Sequence, residues 1–90
     1  MIEIQMNAEI QVTVHLFSFF KDLTGCSSFE HPLPSGSTLG DLLNSMVLRF
    51  PKLEPMQKSM LTAVGVEYQN RGYILRAGDE VSLFPPVQGG

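Results

Sequence analysis

A chain of 90 residues has room for one core, because chains divide into domains only well beyond that length. With 43% apolar and 17% charged residues, and 6 Lys and Arg against 9 Asp and Glu for a net charge of −3, intrinsic disorder is excluded and a basic face for nucleic acid or an anionic membrane is not expected. A single cysteine, Cys26, leaves no intrachain disulfide, and no apolar run is long enough for a membrane span or a secretory leader, so the expected compartment is the cytoplasm.

From Ile2 to Leu16 every even position is apolar (Ile2, Ile4, Met6, Ala8, Ile10, Val12, Val14, Leu16) and every odd one between them is polar. A period of two reads as extended chain with one buried face. As a single strand it would run about 50 Å at roughly 3.3 Å per residue, more than so small a domain can cover. The small and polar Asn7-Ala8-Glu9 is the expected break, which leaves Ile10 to Phe17 as the core strand and residues 1–9 as an edge segment or loose arm. Ser18 to Gly25 then places Phe19, Phe20 and Leu23 on one side of a short helical turn, with Gly25 suited to a left-handed stop. Ser27 to Leu33 reads as a second strand returning beside the first. Pro32 and Pro34 confine its end to an edge or a turn.

The stripe Leu39, Leu42, Leu43, Met46, Val47 and Phe50 predicts the main helix. Thr38 caps it with Asp41 three residues on, Pro51 ends it, and Gly40 inside it costs about 1 kcal/mol against Ala. Lys52 to Ser59 reads as a polar connection and Met60 to Tyr68 as a strand with a bulge or a close neighbour at Gly65. Gln69 to Gly72 is a turn, Tyr73 to Leu75 a short extended piece, and Arg76 to Asp79 a second turn. Glu80 to Phe84 is the last strand, with Val81 and Leu83 on one face. One helix against a mixed four- or five-stranded sheet buries both the helical stripe and the alternating strands, so the class is α+β. A crossover over the helix brings the last strand parallel to the first, which is the β-grasp, or ubiquitin-like, architecture.

The body of this domain offers little chemistry. His15 sits on the polar face of the first strand and His31 beside Pro32, both read as surface residues, and neither assembles a triad with Cys26 or a serine. Cys26 itself reads as an ordinary small residue after a turn. The two histidines and one cysteine match no zinc spacing, so no metal is expected. Ser35-Gly36-Ser37-Thr38 lacks the lysine of a phosphate loop and is better explained as a helix cap. Asp79 and Glu80 are adjacent on extended chain, point to opposite faces and cannot flank one bond.

Packing does not explain Phe84-Pro85-Pro86-Val87-Gln88-Gly89-Gly90. Two glycines contribute no burial and lose the most backbone freedom on ordering. With glycine at about 7% of residues, a terminal pair arises by chance about 0.5% of the time; the bland alternative is a frayed end or an expression scar. The prolines weigh against that alternative, because they end the strand, withdraw two donors from any ladder and hold polyproline II. Residues 85–90 are therefore expected to project from a 10–84 domain, reaching about 20 Å at ~3.3 Å per residue. Such an arm suits a carboxylate that another protein's narrow active site surrounds, where any nearby Cβ would obstruct entry. A carboxylate is a poor acyl donor and needs activation, most simply as a mixed anhydride with AMP, after which sulfur or nitrogen displaces AMP.

The run Leu75-Arg76-Ala77-Gly78-Asp79-Glu80-Val81-Ser82-Leu83-Phe84-Pro85-Pro86-Val87-Gln88-Gly89-Gly90 resembles the C-terminus of the molybdopterin synthase small subunits, the sulfur carriers of the MoaD/ThiS family. Leu16 to Gly25 is similar to that family's first strand and short helix, and Thr38-Leu39-Gly40-Asp41-Leu42-Leu43 to the start of its main helix. The resemblance spans roughly Ile10 to Gly90; the first nine residues are extra, and Val64-Gly65-Val66 lacks an asparagine often seen there. It implies a cycle in which an adenylating enzyme of MoeB type activates Gly90 and a sulfur donor protein's sulfur replaces AMP, giving a thiocarboxylate with no permanently bound cofactor. The large synthase subunit then receives the arm, and sulfur passes to cyclic pyranopterin monophosphate for the dithiolene that binds molybdenum. Family members assemble as two large and two small subunits. By matching position, Gly89 and Gly90 are the reactive end, Pro85, Pro86, Val87 and Gln88 the threading arm, and Phe84 with its sheet neighbours the docking surface. Catalytic side chains would belong to the large subunit. Rival readings are a carrier for thiazole, amino-acid or tRNA sulfur, a modifier whose Gly90 joins a lysine, and a β-grasp binding module with an idle tail.

Overall fold

The structure, a computed structural model, describes residues 8–86. Its elements are β1 (Glu9–Leu16), α1 (Phe20–Thr24), β2 (Ser28–Pro34), α2 (Leu39–Arg49), a 3-10 helix (Pro51–Met56), β3 (Leu61–Val64), β4 (Glu67–Tyr68) and β5 (Glu80–Phe84). The strands form one sheet in the order β2-β1-β5-β3-β4, in which β1 and β5 are parallel and every other pair antiparallel. This is the expected α+β β-grasp.

The alternation read from the sequence explains the sheet's two faces. Val12, Val14 and Leu16 of β1 and Val81 and Leu83 of β5 are buried against Leu39, Leu42, Leu43 and Met46 of α2. Each such side chain contributes roughly 1.5–3 kcal/mol by leaving water. The intervening residues Thr13, His15, Glu80, Ser82 and Phe84 point to the other face, which no helix of the described residues covers. Residues 1–7, most of the expected N-terminal arm, lie outside the described residues; β1 already includes Glu9, and the Ala8 carbonyl accepts from the Ser35 N–H at 3.1 Å.

The start of α2 is satisfied on all sides. Thr38 Oγ1 accepts from the Asp41 N–H at 3.2 Å while the Asp41 carboxylate accepts from the Thr38 N–H at 2.9 Å, a reciprocal capping box. The next donors, Leu39 N–H and Gly40 N–H, reach the Tyr73 and Arg71 carbonyls, each at 2.9 Å. A Cβ on Gly40 would stand 3.4 Å from the Arg71 carbonyl oxygen, an ordinary contact, so space does not require glycine there. Gly40→Ala is expected to stabilise the domain by about 0.5–1 kcal/mol through helix propensity, read as a rise in the urea midpoint.

Two segments differ from the sequence reading. Lys52 to Ser59, expected as a polar connection, overlaps the 3-10 helix, which starts on Pro51 and buries Leu53 completely in the core. One apolar side chain per turn is too sparse for a helical period to register. The expected single strand from Met60 to Tyr68 is a hairpin, β3 and β4 joined by Gly65 and Val66, and Gly65 is the first loop residue with φ +62° rather than a bulge. A glycine with positive φ in that position is the pattern of a tight hairpin turn whose twist matches its strands.

Candidate functional site

β5 lies in the middle of the sheet, so its last residue stands at the centre of one end of the uncovered face rather than at its side. Phe84, the last residue of β5, pairs with Leu61 of β3. Its ring stacks on Phe17 with centroids 4.7 Å apart and planes at 13°, and Tyr68 of β4 meets it edge-on at 6.4 Å. Phe17 and Tyr68 are 41% and 70% exposed. Three aromatic rings thus form an apolar patch at the end of β5, the kind of surface that a protein partner covers.

The patch depends on local backbone. Phe17 donates its N–H to the Leu83 carbonyl at 3.2 Å, which keeps it level with the end of β5. Ser18 then takes φ +59°, a left-handed conformation uncommon for a residue with a Cβ, and turns the chain off β1 into α1. Gly25, φ +76°, closes α1 as expected. Phe17 and Tyr68 are not singled out by the sequence, although Phe17 carries a signal: a large aromatic at an odd position, where the alternation of the first strand calls for a polar side chain.

Of the expected arm, Pro85 and Pro86 are described and are half-buried, so they still rest on the domain. Val87, Gln88, Gly89 and Gly90 lie outside the described residues. Phe84 is therefore the one expected docking residue whose surroundings are seen, together with the start of the threading segment.

The remaining candidates are occupied structurally. Cys26 is half-buried, with its thiol 3.7 Å from the Thr24 carbonyl. Asp79 accepts from the Arg76 N–H at 2.9 Å inside its turn, and Ser35 to Thr38 ends in the capping box. A cavity of about 540 Å³ between the β3–β4 turn and Gly78 lies at the end of β5 remote from Phe84. Among the described residues no three His, Cys, Asp or Glu side chains gather as a metal site, and no helix is long and apolar enough to cross a membrane.

Both histidines, expected on the surface, are half-buried and partnered. His15 Nε2 lies 2.9 Å from Glu80 across the parallel pair. His31 Nδ1 lies 3.3 Å from Arg49, whose guanidinium sits 4.3 Å above the Phe29 ring. Burial and then the Arg49 charge hold His31 below its ordinary value of 6.5. The folded protein therefore takes up this proton at lower pH than the unfolded chain does. Stability from His31 is complete above about pH 6.5 and declines as pH falls below it. Urea midpoints between pH ~7.5 and ~5 should fall more steeply for the parent than for His31→Gln.

Residues 14–90 match the ThiS family. The molybdopterin synthase sulfur carrier subunit of Arabidopsis thaliana is 34% identical over 89 residues, covering 99% of this chain and 93% of the plant protein. The human protein of the same description is 30% identical, covering 89% of this chain and 94% of its own. Among solved structures, SAMP1 from Haloferax volcanii, a small archaeal modifier protein, is 27% identical with a TM-score of 0.78, covering 89% of this chain and 99% of that one.

Proposed function

Given that the chain belongs to the ThiS family, we propose that it is a sulfur carrier and serves as the small subunit of a molybdopterin synthase. The observation that carries this reading is the aromatic patch Phe17, Phe84 and Tyr68 set at the root of a Pro-Pro-Val-Gln-Gly-Gly arm on the central strand. The patch docks the partner while the arm enters its active site.

In this cycle an adenylating enzyme joins the Gly90 carboxylate to AMP with release of pyrophosphate from ATP. Hydrosulfide supplied by a donor protein attacks the acyl carbon, AMP leaves with the bonding pair, and loss of the proton leaves the carbonyl carbon as a thiocarboxylate. That sulfur is a stronger nucleophile than the carboxylate oxygen it replaced. In the large synthase subunit it attacks a side-chain carbon of cyclic pyranopterin monophosphate, from which an oxygen leaving group departs, and water then cleaves the acyl–sulfur bond, so that the sulfur stays on the pterin and Gly90 returns as a carboxylate. Gly89 and Gly90 admit the reactive end by offering no Cβ, and Pro85 and Pro86 limit the arm's freedom before binding. The carrier supplies the sulfur and its presentation; side chains for proton transfer come from the large subunit.

Mixing the protein with a large synthase subunit should give a complex of two copies of each on gel filtration. Phe84→Ala should weaken it by about 2 kcal/mol or more, as expected for a central aromatic anchor. Intact mass of protein purified from cells should show one oxygen exchanged for sulfur. A large subunit that neither binds the chain nor accepts sulfur from it would overturn the assignment. A second reading, attachment of Gly90 to protein lysines, is favoured by the likeness to SAMP1. It predicts ladders of conjugates in cells in place of the sulfur exchange.

A further inference from the structure

The sheet ends in two edge strands of very different length. β4 has 2 residues, whereas β2 has 7 and its outer side faces no other strand among the described residues. An edge of that length is a template for another strand unless something blocks it.

Hydrogen-bond parity identifies what blocks it. In an antiparallel pair, alternate residues direct both N–H and C=O at the partner, and those between direct both away. Leu16 N–H donates to the Ser27 carbonyl at 2.8 Å, and Ser35 N–H donates to the Ala8 carbonyl at 3.1 Å, one bond at each end of the β1–β2 register. Both bonds fix the same parity. Phe29, His31 and Leu33 therefore direct their backbone groups at β1, and Ser28, Glu30, Pro32 and Pro34 direct theirs outward. Both prolines fall on the outward row. They cost the β1–β2 ladder no donor, and they delete the donors that a new strand would use.

We infer that Pro32 and Pro34 keep β2 from pairing with β2 of a second copy of the chain. Two copies related by a twofold axis would set Ser28 opposite Pro34 and Glu30 opposite Pro32 along the full strand. Half of the donors would be missing, and each pyrrolidine ring would occupy the place of the proton it replaces. The register centred on Glu30 opposes two carboxylates and still sets Ser28 against Pro32, and the one centred on Phe29, which escapes the prolines, leaves only Ser28 and Glu30 to pair. The four outward residues are all exposed, so nothing else in the described domain shields this edge.

The test is sedimentation of the full chain over a concentration series, parent against Pro32→Thr/Pro34→Thr. The parent should remain monomeric, while the double variant should form a dimer with an association constant raised at least about tenfold, a change that β-forming residues with free donors on the edge permit. Adding Glu30→Pro to the double variant should return the monomer, which separates edge pairing from association through the Phe17, Phe84 and Tyr68 patch. Pro32→Thr alone carries the same test with a smaller shift if the double variant melts early. A parent that dimerises, a double variant as monomeric as the parent, or a dimer that survives Glu30→Pro would each overturn the inference.

Discussion

Deleting Gly90 is expected to reduce sulfur transfer by at least about 100-fold while leaving the melting temperature unchanged. The deletion withdraws the carboxylate by one residue, ~3.3 Å, from any site that must hold it against a nucleophile. Misplacement by even 1 Å costs about 100-fold in reactions that depend on positioning. Among the described residues the core's last member is Leu83, so stability should not register the loss. Gly89→Val keeps the length and adds bulk, and it should fail in the same assay because the Cβ meets the walls of the partner's channel. The assay mixes carrier, adenylating enzyme, sulfur donor and large subunit, and follows conversion of the pyranopterin substrate. Full activity of the Gly90 deletion would sink the carrier reading, whereas a parallel drop in melting temperature would mean that the end of the chain also stabilises the domain.

Phe20→Ala should be the most damaging single change to the fold, costing about 3–5 kcal/mol. Phe20 is fully buried, among the largest side chains in the core, and joins α1 to the sheet. Alanine there leaves a cavity that the short α1 cannot close, because Ser18 and Gly25 fix its ends in left-handed conformations. At about 4–8 °C per kcal/mol for a domain of this size, the melting temperature should fall by more than about 12 °C. The neighbouring Phe19, 43% exposed and edge-on to Phe20 at 5.5 Å, offers the contrast: its alanine variant should lose about 1 kcal/mol, chiefly the aromatic pair. Urea denaturation of the two variants side by side decides the point.

That contrast also shows how far the sequence could be read. Phe19, Phe20 and Leu23 were expected on one side of a turn, which placed the element correctly but not its depth. With 5 residues in α1, the period is too short to separate a core position from its neighbour. The longer patterns were legible: α2 with its Thr38 and Asp41 cap, the buried alternation of β1, and Val81 with Leu83 on β5. Leu53 was not, because its burial depends on the core that distant elements close around it, a tertiary fact that no window of residues contains. At the site, Phe84 could be picked out by its place beside the prolines. Its companions Phe17 and Tyr68 could not, since they come from distant parts of the chain and meet it only through the pairing of β1 with β5, of β5 with β3 and of β3 with β4.

The placement of β5 between β1 and β3 has a kinetic consequence. Thr13 of β1 pairs with Glu80 of β5, so the middle of the sheet closes only when residues far apart along the chain meet. A ribosome delivering the chain from its amino end supplies β1, β2 and α2 first, and none of them can complete the sheet until the final strand has emerged. Chains broken off before β5 lack their centre rather than an edge, and proteases should clear them. Quality control thereby favours molecules that carry the strand leading into Gly89 and Gly90.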